Sequence, residues 1–119
     1  MAAEGAINII AAVTGLGKEQ KFAERFTTTT PTLVMYNYDS IGTDAEALDI
    51  SDIGTIEAII IKNLDDTNYV ELDCNYSTSF SADIRVDAGC VAVFKPSGTV
   101  QAKANTAACS VEYLVIASA

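Results

Sequence analysis

From Val70 to Tyr76 the chain alternates, with Val70, Leu72, Cys74 and Tyr76 on one parity and Glu71, Asp73 and Asn75 on the other. A period of two is what a strand with one dry and one wet face requires. Ala82, Ile84 and Val86 repeat it against Asp83, Arg85 and Asp87. Turn signals separate these runs: NLDDTN at 63–68, VDAG at 86–89, KPSG at 95–98 and NTA at 105–107. Each supplies Asn, Asp, Gly or Pro on which the backbone can reverse. The pattern predicts strands near 55–62, 67–76, 81–87, 90–95, 98–104 and 108–117. Short strands with tight reversals at this regular spacing mark an antiparallel β-sandwich or barrel.

The first half is less regular. INIIAAV (7–13) and TLVMYNY (32–38) have the composition of strands, while KEQKFAERF (18–26) puts Phe22 and Phe26 four apart, a spacing open to a helix face or to one side of a strand. The threonines 27–30 and Pro31 favour extended chain just after it, and a strand is the better reading. Residues 40–54, SIGTDAEALDISDIG, read as a long loop with room for one short helical turn. The expectation is one all-β domain over residues 1–119, of about eight or nine strands, with 1–30 as a candidate arm.

Two segments carry more apolar surface than alternation needs. TIEAIIIKN offers Ile56, Ala58 and Ile60 on one side and Ile59 and Ile61 on the other, and CSVEYLVIA sets Val111, Tyr113 and Val115 against Leu114 and Ile116. A strand apolar on both faces has to be covered on both. A two-layer fold of this length has one interior, so Ile59, Ile61, Leu114 and Ile116 are the candidate interface, covered by another subunit unless the amino-terminal segment folds back over them.

The net charge is −9, from sixteen acids and seven bases, which makes nucleic acid a poor partner. The distribution is uneven. Six acids between Arg25 and Lys62 have no base among them, whereas Lys18, Lys21 and Arg25 fall within eight residues. That basic cluster joins the candidate interface as the part able to meet an acidic neighbour. No apolar run is long enough for a membrane span, and MAAEGAINII lacks a basic flank before its apolar part, so neither a membrane nor export is expected.

Chemistry finds little purchase. With no histidine, the commonest general base and the usual partner of a nucleophilic Ser or Cys are both missing, and no enzymatic activity is expected. GLGK (15–18) lacks the spacer and the following Ser/Thr of a phosphate loop. DISDIG (49–54) opens like a calcium loop, but its fifth position is Ile53 and no helix pattern flanks it. Cys74, Cys90 and Cys109 cannot all pair within one chain and form no CxxC, so they read as reduced core or near-core residues. No cofactor or metal is expected.

Ile61 to Val70 reads I-K-N-L-D-D-T-N-Y-V, and Ala102 to Tyr113 reads A-K-A-N-T-A-A-C-S-V-E-Y. In these stretches the chain resembles the small β-sandwich virion proteins of tailed bacteriophages, which occur as capsid decoration (cement) subunits and as tail-associated structural proteins. The likeness spans the second half, and the first half carries nothing to match. It implies a jelly-roll-like sandwich, a homo-oligomer (dimer or trimer), and attachment to the major capsid protein lattice on the virion exterior after synthesis in the host bacterial cytoplasm. It brings no catalytic residues. A tail, neck or fibre-base role is the alternative within that group. A carbohydrate- or receptor-binding module is the alternative outside it, with Tyr36, Tyr38, Tyr69 and Tyr76 as its available rings.

Overall fold

The computed structural model describes residues 5–118 except 16, 18, 19, 29, 30, 32, 51 and 52. The described residues form ten strands and no helix: β1 (Gly5–Val13), β2 (Gln20–Thr28), β3 (Leu33–Ile41), β4 (Glu46–Ala47), β5 (Thr55–Asn63), β6 (Val70–Tyr76), β7 (Ile84–Val86), β8 (Val91–Phe94), β9 (Thr99–Ala104) and β10 (Cys109–Ser118). All pairings are antiparallel. One sheet runs β3-β10-β5-β8, a second runs β4-β9-β6-β7, and β1 pairs with β2 as a separate hairpin. The six strands expected from Thr55 onward are all present. Of the 18–26 segment, residues 20–26 are strand and 18 and 19 lie outside the described residues, and residues 40–54 hold the two-residue β4, with no helical turn among the described residues.

The two four-stranded sheets share one core. Ile59 and Ile61 of β5 and Val111, Tyr113 and Val115 of β10 face Val70, Leu72, Val86, Val100, Ala102 and Ala104 of the other sheet. Leu48 and Ile53 dip into the same core from the 42–54 loop, while its acids Asp44, Glu46 and Asp49 stay exposed. That loop is therefore half plug and half solvated rim.

Two β-bulges change which side chains face inward. The β5–β10 register slips between Ile116 and Ala117, where Glu57 is the extra residue. Ile56 is thereby turned to the main core although Ala58 and Ile60, on the same sequence parity, point outward. In β6 the register slips between Asp73 and Tyr76. Asp73, expected on the wet side, is buried there, its two carboxylate oxygens accepting the backbone N–H groups of Asn75 and Ser81.

Among the described residues no buried side-chain nitrogen or oxygen lacks a hydrogen-bond partner. Asn63, fully buried, donates through Nδ2 to the carbonyls of Asn68 and Val86 and accepts at Oδ1 the N–H of Asp65. Asp65 in turn accepts from the N–H groups of Thr67 and Asn68, which hold its carboxyl below the usual range. The NLDDTN signal is thus a side-chain-built turn. Tyr113, the one ring at the centre of the main core, accepts at its hydroxyl from Asp49 N–H and Asn37 Nδ2, and burial pushes that hydroxyl's pKa up.

All three thiols are free, but they differ: Cys109 is buried, Cys74 is half-buried and Cys90 is exposed in the turn before β8. The expectation of a core or near-core position therefore fails for Cys90, which a turn residue's exposure explains.

Candidate interaction surface

The sheet β3-β10-β5-β8 has an outer face turned away from the second sheet, and the pairing registers set out its rows. Val34, Ile116 and Ala58 form one row; Tyr36, Leu114, Ile60 and Val93 a second; Tyr38, Glu112, Lys62 and Val91 a third. The first two rows carry no charge, and the third carries one acid beside one base.

The β1–β2 hairpin covers part of this face. Ile7 packs with Ala58 and Ile116 as a second buried cluster, flanked by Ile9, Ile60, Val93 and Leu114. The amino-terminal segment thus folds back as one of the two expectations had it, though over half of the face only. Tyr36 and Tyr38 remain 54% and 67% exposed, and Val34 and Val91 are likewise open. A shallow depression of about 240 Å³ lies between Tyr36, Ile60, Lys62, Val91, Glu112 and Leu114. A second, lined by Val91 and Val93 with Asn8, Ile9 and Ile10, lies where the sheet meets the hairpin and mixes polar with apolar surface.

The hairpin is itself only half supported. Ile7 lies opposite Phe26 and Ala11 opposite Phe22, so both rings share the side that Ile7 and Ile9 turn to the body. Ile7 is buried, whereas Phe22 and Phe26 are 56% and 43% exposed. β2 therefore overhangs the body instead of lying on it. The radius of gyration, 15.6 Å, exceeds the roughly 13.5 Å expected of a compact chain of this length, as a projecting hairpin requires.

The expected interface residues divide. Ile59 and Ile61 are corrections: both lie in the main core, because β5 turns its odd residues inward against β6 and β9 and presents Ala58 and Ile60 outward. Leu114 and Ile116 are on the outer face, Ile116 beneath the hairpin and Leu114 at the margin of the covered half. Lys21 and Arg25 are exposed on β2, and Lys18 lies outside the described residues. Val34, Val91, Ile10 and the overhanging phenylalanines were not foreseen as surface. The parity of Val34, Tyr36 and Tyr38 in TLVMYNY was the available signal for part of this.

The polar chemistry of the face is sparse. Tyr36 donates its hydroxyl to Glu112 Oε2, and that bond pushes the phenol pKa up, keeping it neutral. The Tyr36 and Tyr38 rings meet edge to face, 5.5 Å apart at 80°. Tyr69 and Tyr76 belong to the other half of the fold, and the Tyr69 ring is covered by the Arg85 guanidinium at 3.7 Å. Among the described residues no three Cys, Asp or Glu side chains gather closely enough to hold a metal ion. The exposed half of the face is therefore mainly apolar, with the Tyr36–Glu112 pair and Lys62 as its polar groups. Compared with known proteins, the chain matches no family model, no curated protein and no solved structure.

Proposed function

We propose that the chain is a structural subunit of a bacteriophage virion, most simply a capsid decoration protein that binds and stabilises the assembled head as a homo-oligomer. The observation that carries this reading is the half-covered outer face of β3-β10-β5-β8, with exposed Val34, Tyr36, Tyr38 and Val91. An apolar patch beyond a few hundred Å² on a small soluble domain marks a surface meant to be occupied. The resemblance in residues 61–70 and 102–113 gives that occupation its biological setting.

The same reading takes the fold as a jelly-roll sandwich. Its support is the nesting of strand pairs after the hairpin: β3 with β10, β4 with β9, β5 with β8 and β6 with β7. A single long hairpin rolled onto two sheets makes those four pairs, and closing the roll adds β10 with β5 and β9 with β6, both of which occur. Such double Greek keys recur in viral coat proteins and in lectins.

A decoration protein acts by mass action: each copy binds the assembled shell and not its dissociated parts, so its binding free energy adds to the stability of the particle. Many copies with modest contacts suffice, since their contributions sum over the lattice. The test is the copy number per particle, counted by quantitative mass spectrometry on purified virions of the phage that encodes the chain. Hundreds of copies support decoration, a dozen or fewer move the protein to the neck or tail, and absence from the particle sinks the reading.

A second reading, a carbohydrate- or receptor-binding module, is favoured by the exposure of Tyr36 and Tyr38 on one face. Their perpendicular rings leave only one of them able to lie flat under a sugar ring. Binding on a glycan array, lost in Tyr38→Ala, supports this reading in place of the first.

A further inference from the structure

The overhanging strand and the uncovered sheet are two halves of one contact. We infer that they meet between copies: β2 of one chain, through Phe22 and Phe26, covers the Val34–Tyr36–Tyr38 half of the outer face of a second copy. This rests on the interface reading above and names its partner.

Three observations point to a second copy as the occupant. The first is continuity. The face already accepts this hairpin within one chain, through Ile7 on Ala58 and Ile116, and Leu114 and Ile60 bound both the covered and the uncovered half. The second is charge. Residues 1–30 hold three acids and three bases, and residues 31–119 hold the remaining thirteen acids and four bases. The neutral hairpin segment is thus the part of the chain able to approach another acidic body without net repulsion; its donor side carries Glu24 between the two phenylalanines, and the rows it meets carry the adjacent Lys62 and Glu112.

The third is area. The open parts of Val34, Tyr36, Tyr38, Val91, Ile60 and Leu114 with those of Phe22 and Phe26 come to roughly 700 Å² per copy, so two copies that exchange hairpins reciprocally bury close to a standard interface, whereas a single one-way contact buries about half of it. Donor and acceptor are different patches, so association runs head to tail and ends when a ring closes, of which a two-fold pair is the smallest.

Two variants test this without depending on ring size: Phe22→Asp with Phe26→Asp, which spoils the donor, and Val34→Asp with Tyr38→Asp, which spoils the acceptor. All four side chains are exposed in the single chain, and circular dichroism checks that each variant keeps the parent fold. Sedimentation velocity of the purified full-length chain is then expected to give an oligomer for the parent and single chains for each variant. An equimolar mixture of the two variants is expected to pair two chains at most, and more weakly than the parent, since one intact donor and one intact acceptor remain and only one of the two contacts can form. The inference is overturned if the parent stays a single chain at about 1 mM, or if either the donor or the acceptor variant assembles like the parent. Copy number in the virion is read separately, so a parent that is abundant in particles but fails this test sinks the partner assignment and leaves the virion reading standing.

Discussion

Asn63→Ala is expected to be among the most damaging single changes to the fold although it removes no apolar contact. The side chain is 0% exposed and ties three segments together: Nδ2 donates to Asn68 O at 2.9 Å and to Val86 O at 3.1 Å, and Oδ1 accepts Asp65 N–H at 2.9 Å. Truncation leaves two carbonyls and one N–H to find new partners. An unpaired buried group costs about 1–3 kcal/mol, so the expected loss is about 3–5 kcal/mol, a large share of the 5–15 kcal/mol typical of a domain. In urea, with a slope of about 1–3 kcal/mol/M for a protein of this size, the midpoint should fall by roughly 2 M with the slope unchanged. Asn68→Ala is the control, because its backbone carbonyl takes part and its side chain does not, and it should cost under about 1 kcal/mol. A loss below about 1 kcal/mol for Asn63→Ala would show that water replaces the side chain and that the turn is not held as described.

Other expectations follow from burial and charge. Ile59→Ala, in the main core, should cost about 2–5 kcal/mol, and Ile60→Ala, on the outer face, distinctly less; equal losses in denaturation would mean that the inner and outer sides of β5 are misassigned. Asp65 has its folded pKa lowered by the N–H groups of Asn68 and Thr67, so its contribution is complete above the unfolded value near 3.9 and is lost as pH falls through the lower, folded value. Asp65→Asn should therefore flatten the acid limb of the stability curve below about pH 4, and an unchanged limb would refute the assignment. One thiol, Cys90, should react quickly with a disulfide reagent in the native protein, while Cys74 and Cys109, whose thiol pKa values burial pushes up, wait for denaturation. Three fast thiols in the native state would contradict the burial of the other two.

Much of the strand framework was legible because each reversal is written in local chemistry. KPSG and NTA fall between strands, NLDDTN and VDAG each start on the last residue of one, and the alternation of Val70 and Leu72 predicts their burial directly. What parity could not supply was the effect of the bulges. One extra residue at Glu57 turns Ile56 inward against its sequence parity, and the slip after Asp73 buries a carboxylate that alternation placed in water. Choosing the inner side of β5 was a separate difficulty, since Ile59 with Ile61 and Ala58 with Ile60 are about equally apolar and only the partner sheet decides between them.

The excess of apolar surface was visible in TIEAIIIKN and CSVEYLVIA, but its cover was not. The hairpin that shelters Ala58 and Ile116 makes contacts between residues 51 and 109 positions apart, beyond the reach of any local pattern. The overhang of β2 was hidden for the same reason: the spacing of Phe22 and Phe26 placed them on one side of the segment but could not say whether the body reaches under that side, and it leaves both rings exposed.

Hydroxyl-radical footprinting of Tyr38 and Phe22 across a concentration series tests the central claim most directly. Both side chains are open in the single chain, and the account predicts that their oxidation falls together, at the concentration where sedimentation first detects association. Association that leaves the two rings as reactive as in dilute solution would contradict it.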